Sequence, residues 1–164
     1  MQKKQIINKY TIAAAVAVVA ILLYLFYFKN GVSAEVNTNT ISIQTDKWIN
    51  AVTVENDPGQ VADLFCEDGN LVGTVSQTIR TGPAIKSYFD YFALLPDIEV
   101  VDKKYDIVQV KGDVFLNTAF ITWKWDGLKE PIVARMSFLF RGDCIFQLHS
   151  SALPDLNEDL KKIS

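Results

Sequence analysis

The sequence predicts an α+β domain in which three helices pack on one face of a strongly curved, mainly antiparallel sheet, preceded by one transmembrane helix. Three observations predict it. An uncharged apolar run, Thr11 to Phe28, stands near the start of the 164-residue chain. Helical spacing of apolar residues then recurs in three segments, the last ending near Phe92. Beyond that point the period changes to two, in four long segments rich in β-branched and aromatic residues and separated by glycine turns.

The apolar run is long enough to span roughly 27 Å as a helix, close to the hydrocarbon thickness of a bilayer. Lys3, Lys4 and Lys9 precede it, and only Lys29 follows closely. This bias places residues 1–10 in the cytoplasm, residues 11–28 in the membrane and the domain on the far side. Tyr24, Phe26, Tyr27 and Phe28 stand where an aromatic belt would lie. The alternative is a signal peptide cleaved near Ala34, after the small residues of Val32-Ser33-Ala34, which would leave a secreted or periplasmic protein. Residues 29–40 are small, polar and turn-prone and read as a linker. A domain over 41–155 and a tail over 156–164 complete the chain.

A first helix is expected over 41–56, with Thr45, Trp48 and Val52 on one face. Asp57 is a good N-cap and Pro58 suits the first position of a second helix. Val61, Leu64 and Phe65 give that helix its stripe, and Asp68-Gly69 is expected to end it. Short strands follow at 71–75 and 77–80. Gly82-Pro83 opens a third helix carrying Ile85, Tyr88, Phe89 and Phe92 on one side, and Pro96 closes it. The remaining strands, 98–109, 114–125, 132–140 and 144–151, are joined by turns at Gly112, Gly127 and Gly142.

Composition narrows the function classes. The net charge is −3 with both signs interspersed, so no basic stripe points to nucleic acid. The single His excludes a multi-histidine metal site, and neither a metal nor a cofactor is expected. Cys66 and Cys144 can pair with each other or remain as two buried thiols.

The aromatic residues Trp48, Tyr88, Phe89, Phe92, Trp123 and Trp125 either fill the core or line a pocket under the curled sheet. Arg135 sits mid-strand between apolar neighbours. A buried guanidinium there needs a carboxylate or an anionic ligand, whereas the other reading puts it on the solvated face. His149 is a candidate general base or ligand donor, or a structural residue near a strand end, and Ser151 accompanies it on the same strand face.

Several segments together resemble a known family. They are Asp46-Lys47-Trp48, then Asn56-Asp57-Pro58 before Val61-Ala62-Asp63-Leu64-Phe65, and Arg80-Thr81-Gly82-Pro83-Ala84-Ile85 leading to Tyr88-Phe89. Ala134-Arg135-Met136-Ser137-Phe138 and Leu148-His149-Ser150-Ser151-Ala152-Leu153-Pro154 follow. Their order over about residues 43–155 resembles the nuclear transport factor 2-like superfamily. The closer likeness is to its SnoaL-like branch, which includes SgcJ/EcaC-type proteins and the calcium/calmodulin-dependent protein kinase II association domain. The resemblance implies a cone-shaped, cystatin-like fold and a homo-oligomer formed through the sheet. It also implies Arg135 and His149 inside the cone. Two departures are visible: Leu148 replaces the first of a His pair, and Asp143 or Cys144 stands where a Trp is usual.

The favoured expectation is a membrane-anchored module that binds a small carboxylate or apolar ligand, or assembles through its sheet. Arg135, His149, Ser151, Trp48, Tyr88 and Trp123 are the expected ligand contacts. The alternative is an enzyme (isomerase, hydrolase or dehydratase) with His149 as general base and Arg135 steadying an anion. The lost His and the lack of an obvious carboxylate pair favour the module.

Overall fold

The computed structural model describes residues 36–74 and 76–153. The apolar run at 11–28 and the tail at 156–164 lie outside the described residues. Among the described residues no helix is long and apolar enough to cross a membrane.

Helix α1 (Thr38–Thr53) starts three residues before the expected position and ends three before it. Asn37 explains the start, because its Oδ1 accepts the Thr40 N–H at 3.0 Å. Asn56 explains the end. It turns the chain at φ 47, and its Nδ2 donates to the carbonyls of Val52 and Ala93, each at 3.0 Å. Helix α2 (Pro58–Asp63) is capped by Asp57 as expected, with Asp57 Oδ1 accepting from Gly59 N–H and Gln60 N–H. These contacts, led by the Gln60 side chain, hold the Asp57 carboxyl below its ordinary value. Helix α3 (Pro83–Phe92) buries Ile85, Tyr88 and Phe89 on one side and ends four residues before Pro96.

The six strands are β1 (Phe65–Val72), β2 (Ile79–Thr81), β3 (Glu99–Lys111), β4 (Val114–Lys124), β5 (Ile132–Arg141) and β6 (Cys144–Ala152). They form one sheet in the order β2-β1-β6-β5-β4-β3. Every neighbouring pair is antiparallel except β1 and β6, which run parallel. The four long strands and their turns lie where the alternation and the glycines put them.

The main departure is β1. Phe65 is not the end of a helical stripe but the first residue of a strand that continues through Asp68-Gly69. Gly69 is required there by crowding rather than by a helix stop. A Cβ on it would lie 2.9 Å from the carbonyl oxygens of both Cys66 and Ile145. The strand start is also tied across to β6. Cys66 and Cys144 form a disulfide, and Ile145 N–H donates to Leu64 O at 2.8 Å. A cross-link over 78 positions stabilises by about 4 kcal/mol in the chain-entropy treatment.

Strand alternation gives the sheet two distinct faces. Phe115, Asn117, Ala119, Ile121 and Trp123 of β4 are buried on one face, with Ala134, Met136, Phe138 and Phe140 of β5. The helices cover this face. Trp48 of α1 is 1% exposed and meets three rings edge-on, at centroid separations of 5.9 Å (Phe89), 6.0 Å (Trp123) and 5.3 Å (Phe138). One buried polar link crosses the same layer. Asn117 Nδ2 donates to Thr45 Oγ1 at 2.8 Å, and that hydroxyl donates to Ile41 O at 2.9 Å. At the edge of α1, Tyr105 donates to Asp46 Oδ1 at 2.7 Å. Burial first, and then Asp46, push its hydroxyl well above the usual range, so it stays a donor.

Thr45→Val removes the acceptor of the buried Asn117 amide and keeps the side-chain shape. The expected loss is about 1–3 kcal/mol, seen as a lower denaturant midpoint with unchanged slope. A midpoint equal to that of the unmodified protein would show that the link contributes nothing.

Candidate functional site

Register brings one end of each of four strands together. Trp123 of β4 pairs with Ile132 of β5, Ala134 of β5 pairs with Ala152 of β6, and Val72 of β1 pairs with His149 of β6. A cavity of about 190 Å³ lies at this end, between the covered face of the sheet and helices α1 and α3. The buried side chains of Leu71, Met136 and Leu148 contribute from the sheet. Half-buried Thr74, Trp125 and Ile132 contribute from the strand ends.

All six aromatics singled out in the sequence line the cavity: Trp48, Tyr88, Phe89, Phe92, Trp123 and Trp125. Phe92 links the two tryptophans of β4 and its exit, at 5.2 Å from Trp123 and 6.4 Å from Trp125. Tyr88 stacks on Phe92 at 5.8 Å. Its ring is admitted by Gly73, where a Cβ would lie 2.4 Å from Tyr88 Cε2.

The wall has few polar atoms. The hydroxyls of Thr74 and Ser150 contact each other at 2.5 Å. Trp48 Nε1 is buried with no hydrogen-bond partner among the described residues. Among the described lining residues none is Asp, Glu, His, Lys or Arg. The cavity can therefore enclose an apolar body and offer a few donors from Thr74, Ser150, Tyr88 and Trp48.

Arg135, His149 and Ser151 are not brought into it. Arg135 and His149 are exposed, and they belong to the outer face of the sheet. Arg135 lies between Phe120 and Ser151 in the cross-strand row, and His149 lies opposite Ser137. The cause is parity. In β5 the covered face takes Ala134 and Met136, which turns the intervening guanidinium outward. In β6 the register shifts between the pairs Leu139–Gln147 and Phe140–Ile145. That irregularity at Phe146 puts Ile145 on the same side as Leu148 and Ser150, and so breaks the regular alternation of Ile145 with Gln147, His149 and Ser151. The expectation that Arg135 and His149 sit inside the cone is corrected accordingly. Trp48, Tyr88 and Trp123 do line the cavity.

Sequence reasoning did not single out Gly73, Thr74 or Ser150. Ser150 was accessible from its alternation with Leu148. Gly73 and Thr74 carry no local signal, because distant contacts define them, the Tyr88 ring of α3 for Gly73 and the Ser150 hydroxyl of β6 for Thr74.

Neither a protein-family model nor a curated protein matches the sequence. Solved structures do. The calcium/calmodulin-dependent protein kinase II association domain protein of Xanthomonas campestris is 27% identical, covers 71% of this chain and 87% of its own, and superposes with a TM-score of 0.61. A dehydratase of the NTF2-like family from Streptomyces avermitilis is 12% identical, covers 71% and 96%, and gives 0.62. A ketosteroid isomerase-like protein from Erwinia carotovora is 16% identical, covers 74% and 98%, and gives 0.56. The described domain thus has the fold of the nuclear transport factor 2-like superfamily, as the sequence resemblance implied.

Gly73→Ala forces Tyr88 to leave its place in the cavity wall. Overpacking of this kind costs about 1–3 kcal/mol. The expected readout is a lower melting temperature together with altered tryptophan emission. Unchanged values of both would mean that the Gly73–Tyr88 approach is not a constraint on the wall.

Proposed function

We propose that the domain binds a small, mainly apolar molecule rather than converting one. The observation that carries this reading is the cavity wall, with six aromatic side chains and no carboxylate, imidazole or cation among its described residues, the Tyr88 phenol being its one titratable group. Proton transfer needs a titratable group within hydrogen-bond reach of the reacting atom. His149, the only His of the chain, lies on the outer face, so the alternative of an isomerase, hydrolase or dehydratase using it as base draws no support from the cavity. The dehydratase and ketosteroid isomerase-like neighbours share a fold, and a fold of this kind does not carry a chemistry with it.

Size supports the same reading. A dry apolar cavity of about 150 Å³ admits benzene, so about 190 Å³ suits a ring or a short aliphatic chain. Trp48 Nε1 favours a ligand with one hydrogen-bond acceptor, since an unmet buried donor costs about 1–3 kcal/mol.

The anchor and the compartment remain part of the proposal. The Cys66–Cys144 disulfide supports a domain held outside the cytoplasm, because such bonds persist in oxidising compartments. Residues 11–28 would supply the tether. A homo-oligomer formed through the sheet is the second reading, and the outer face favours it. Val108, Leu116 and Leu139 form one apolar cross-strand row there, and Phe120 is 45% exposed.

All three tryptophans of the chain line the cavity, so their emission reports its occupation. Octanol titrated into the full-length protein in nanodiscs is expected to give a saturable shift. Ala134→Leu, which fills the space, is expected to abolish it and to serve as the blank for partition into lipid. A variant that titrates like the unmodified protein would exclude the cavity as the site. Light scattering of detergent-solubilised protein at micromolar concentration is expected to give a dimer or larger, reduced by Phe120→Asp. A monomeric mass for the unmodified protein would end the oligomer reading.

A further inference from the structure

Arg80 is a cation next to residues of the cavity wall, though not itself a lining residue, and among the described residues no carboxylate pairs with it. It belongs to β2 and pairs directly with Leu71 of β1, so the two share the covered face of the sheet. Leu71 lines the cavity. The Arg80 guanidinium lies over the Tyr88 ring, 5.3 Å from Cζ to the ring centroid, and Tyr88 is itself part of the wall. Four described cations have carboxylate partners, Lys86 with Asp90, Lys103 with Asp46, Lys124 with Glu99 and Arg141 with Asp68. Arg80 has none among the described residues.

Its hydrogen bonds are also incomplete. Nη1 donates to Ser76 Oγ and, at 3.4 Å, to Thr78 O. Nη2 and Nε meet no acceptor among the described residues. A guanidinium carries five N–H donors in a planar fork suited to a carboxylate. Here the Ser76 contact and the Tyr88 face orient that fork, and Nη2 and Nε remain without an acceptor among the described residues. Stacking on an aromatic ring orients a guanidinium without satisfying its charge.

We infer that the cavity takes an amphipathic anion, with the apolar body among the aromatic side chains and a carboxylate head on Arg80. This rests on the reading of the cavity as an apolar binding site and assigns the class of its ligand. It also accounts for the absence of Asp and Glu among the described lining residues, because a carboxylate there would pair with Arg80 and repel the ligand head. The Arg that recognises the anion is then Arg80 of the short edge strand and not Arg135.

The test compares two probes that differ only in the head. Octanoate and octanol are titrated into full-length protein in nanodiscs and followed by tryptophan emission, with Ala134→Leu as the blank. Octanoate is expected to bind roughly tenfold or more tightly than octanol, as a charge-assisted bond implies. Arg80→Gln is expected to remove that preference and leave octanol binding unchanged, and Arg80→Lys to retain part of it. The preference should also shrink in unmodified protein as salt is raised, a readout that needs no variant. Equal binding of the two probes, or an equal loss of both in Arg80→Gln with the fold intact, would overturn the assignment and leave the apolar site standing. Failure of both probes to bind would overturn the site and the assignment together.

Discussion

The indole of Trp48 is the contact on which the rest of the domain depends. It is the point where α1, α3 and two sheet strands meet, through edge-on contacts with Phe89, Trp123 and Phe138. Edge-to-face pairs of this kind are worth about 0.5–1.5 kcal/mol each beyond the area they bury. Geometry matters more than that sum. A large flat side chain with rings at three of its edges holds the helices away from the sheet as well as onto it. The space left beside it is the cavity. The same residue therefore closes the core on one side and opens the candidate site on the other, and its Nε1 is buried without a hydrogen-bond partner among the described residues.

The fold was legible where one local rule decided the outcome. Asp57-Pro58 specified the start of α2, and alternation with glycine turns specified β3 to β6. It was illegible where the deciding contact came from far along the chain. Phe65 has a helical neighbour in Val61, yet the Cys66–Cys144 bond and the Ile145–Leu64 hydrogen bond draw it into a strand. Gly69 reads as a stop signal on paper. In the sheet it is the only residue type that fits between two carbonyl oxygens.

The site divides along the same line. Aromatic residues declare themselves by type, so all six could be nominated before their positions were known. Polar residues declare only that they are polar, and which face they occupy depends on parity. One added residue in a strand reverses that parity for everything beyond it. Phe146 is such a point: it puts Ile145 on the side of Leu148 and Ser150, so Ile145 does not indicate the face of His149 and Ser151. Arg135 resembled a buried charge because its neighbours are apolar, although neighbours in a strand face the other way.

The two ends of the parallel pair β1 and β6 explain why the cavity lies where it does. These strands are distant in sequence, so no hairpin turn fixes their spacing. At their starts the disulfide and the Leu64–Ile145 hydrogen bond fix it, and there the chain is so close that only Gly69 fits. At their other ends the ladder runs only as far as Val72 and His149, the hydroxyls of Thr74 and Ser150 meet just beyond it, and Gly73 gives its side-chain space to Tyr88. A covalent clamp at one end leaves the other free of covalent constraint, and the aromatic layer fills that end without closing it. The disulfide thus does two things at once. It limits the unfolded chain, and it fixes the spacing of the strand pair at one end while the cavity lies at the other.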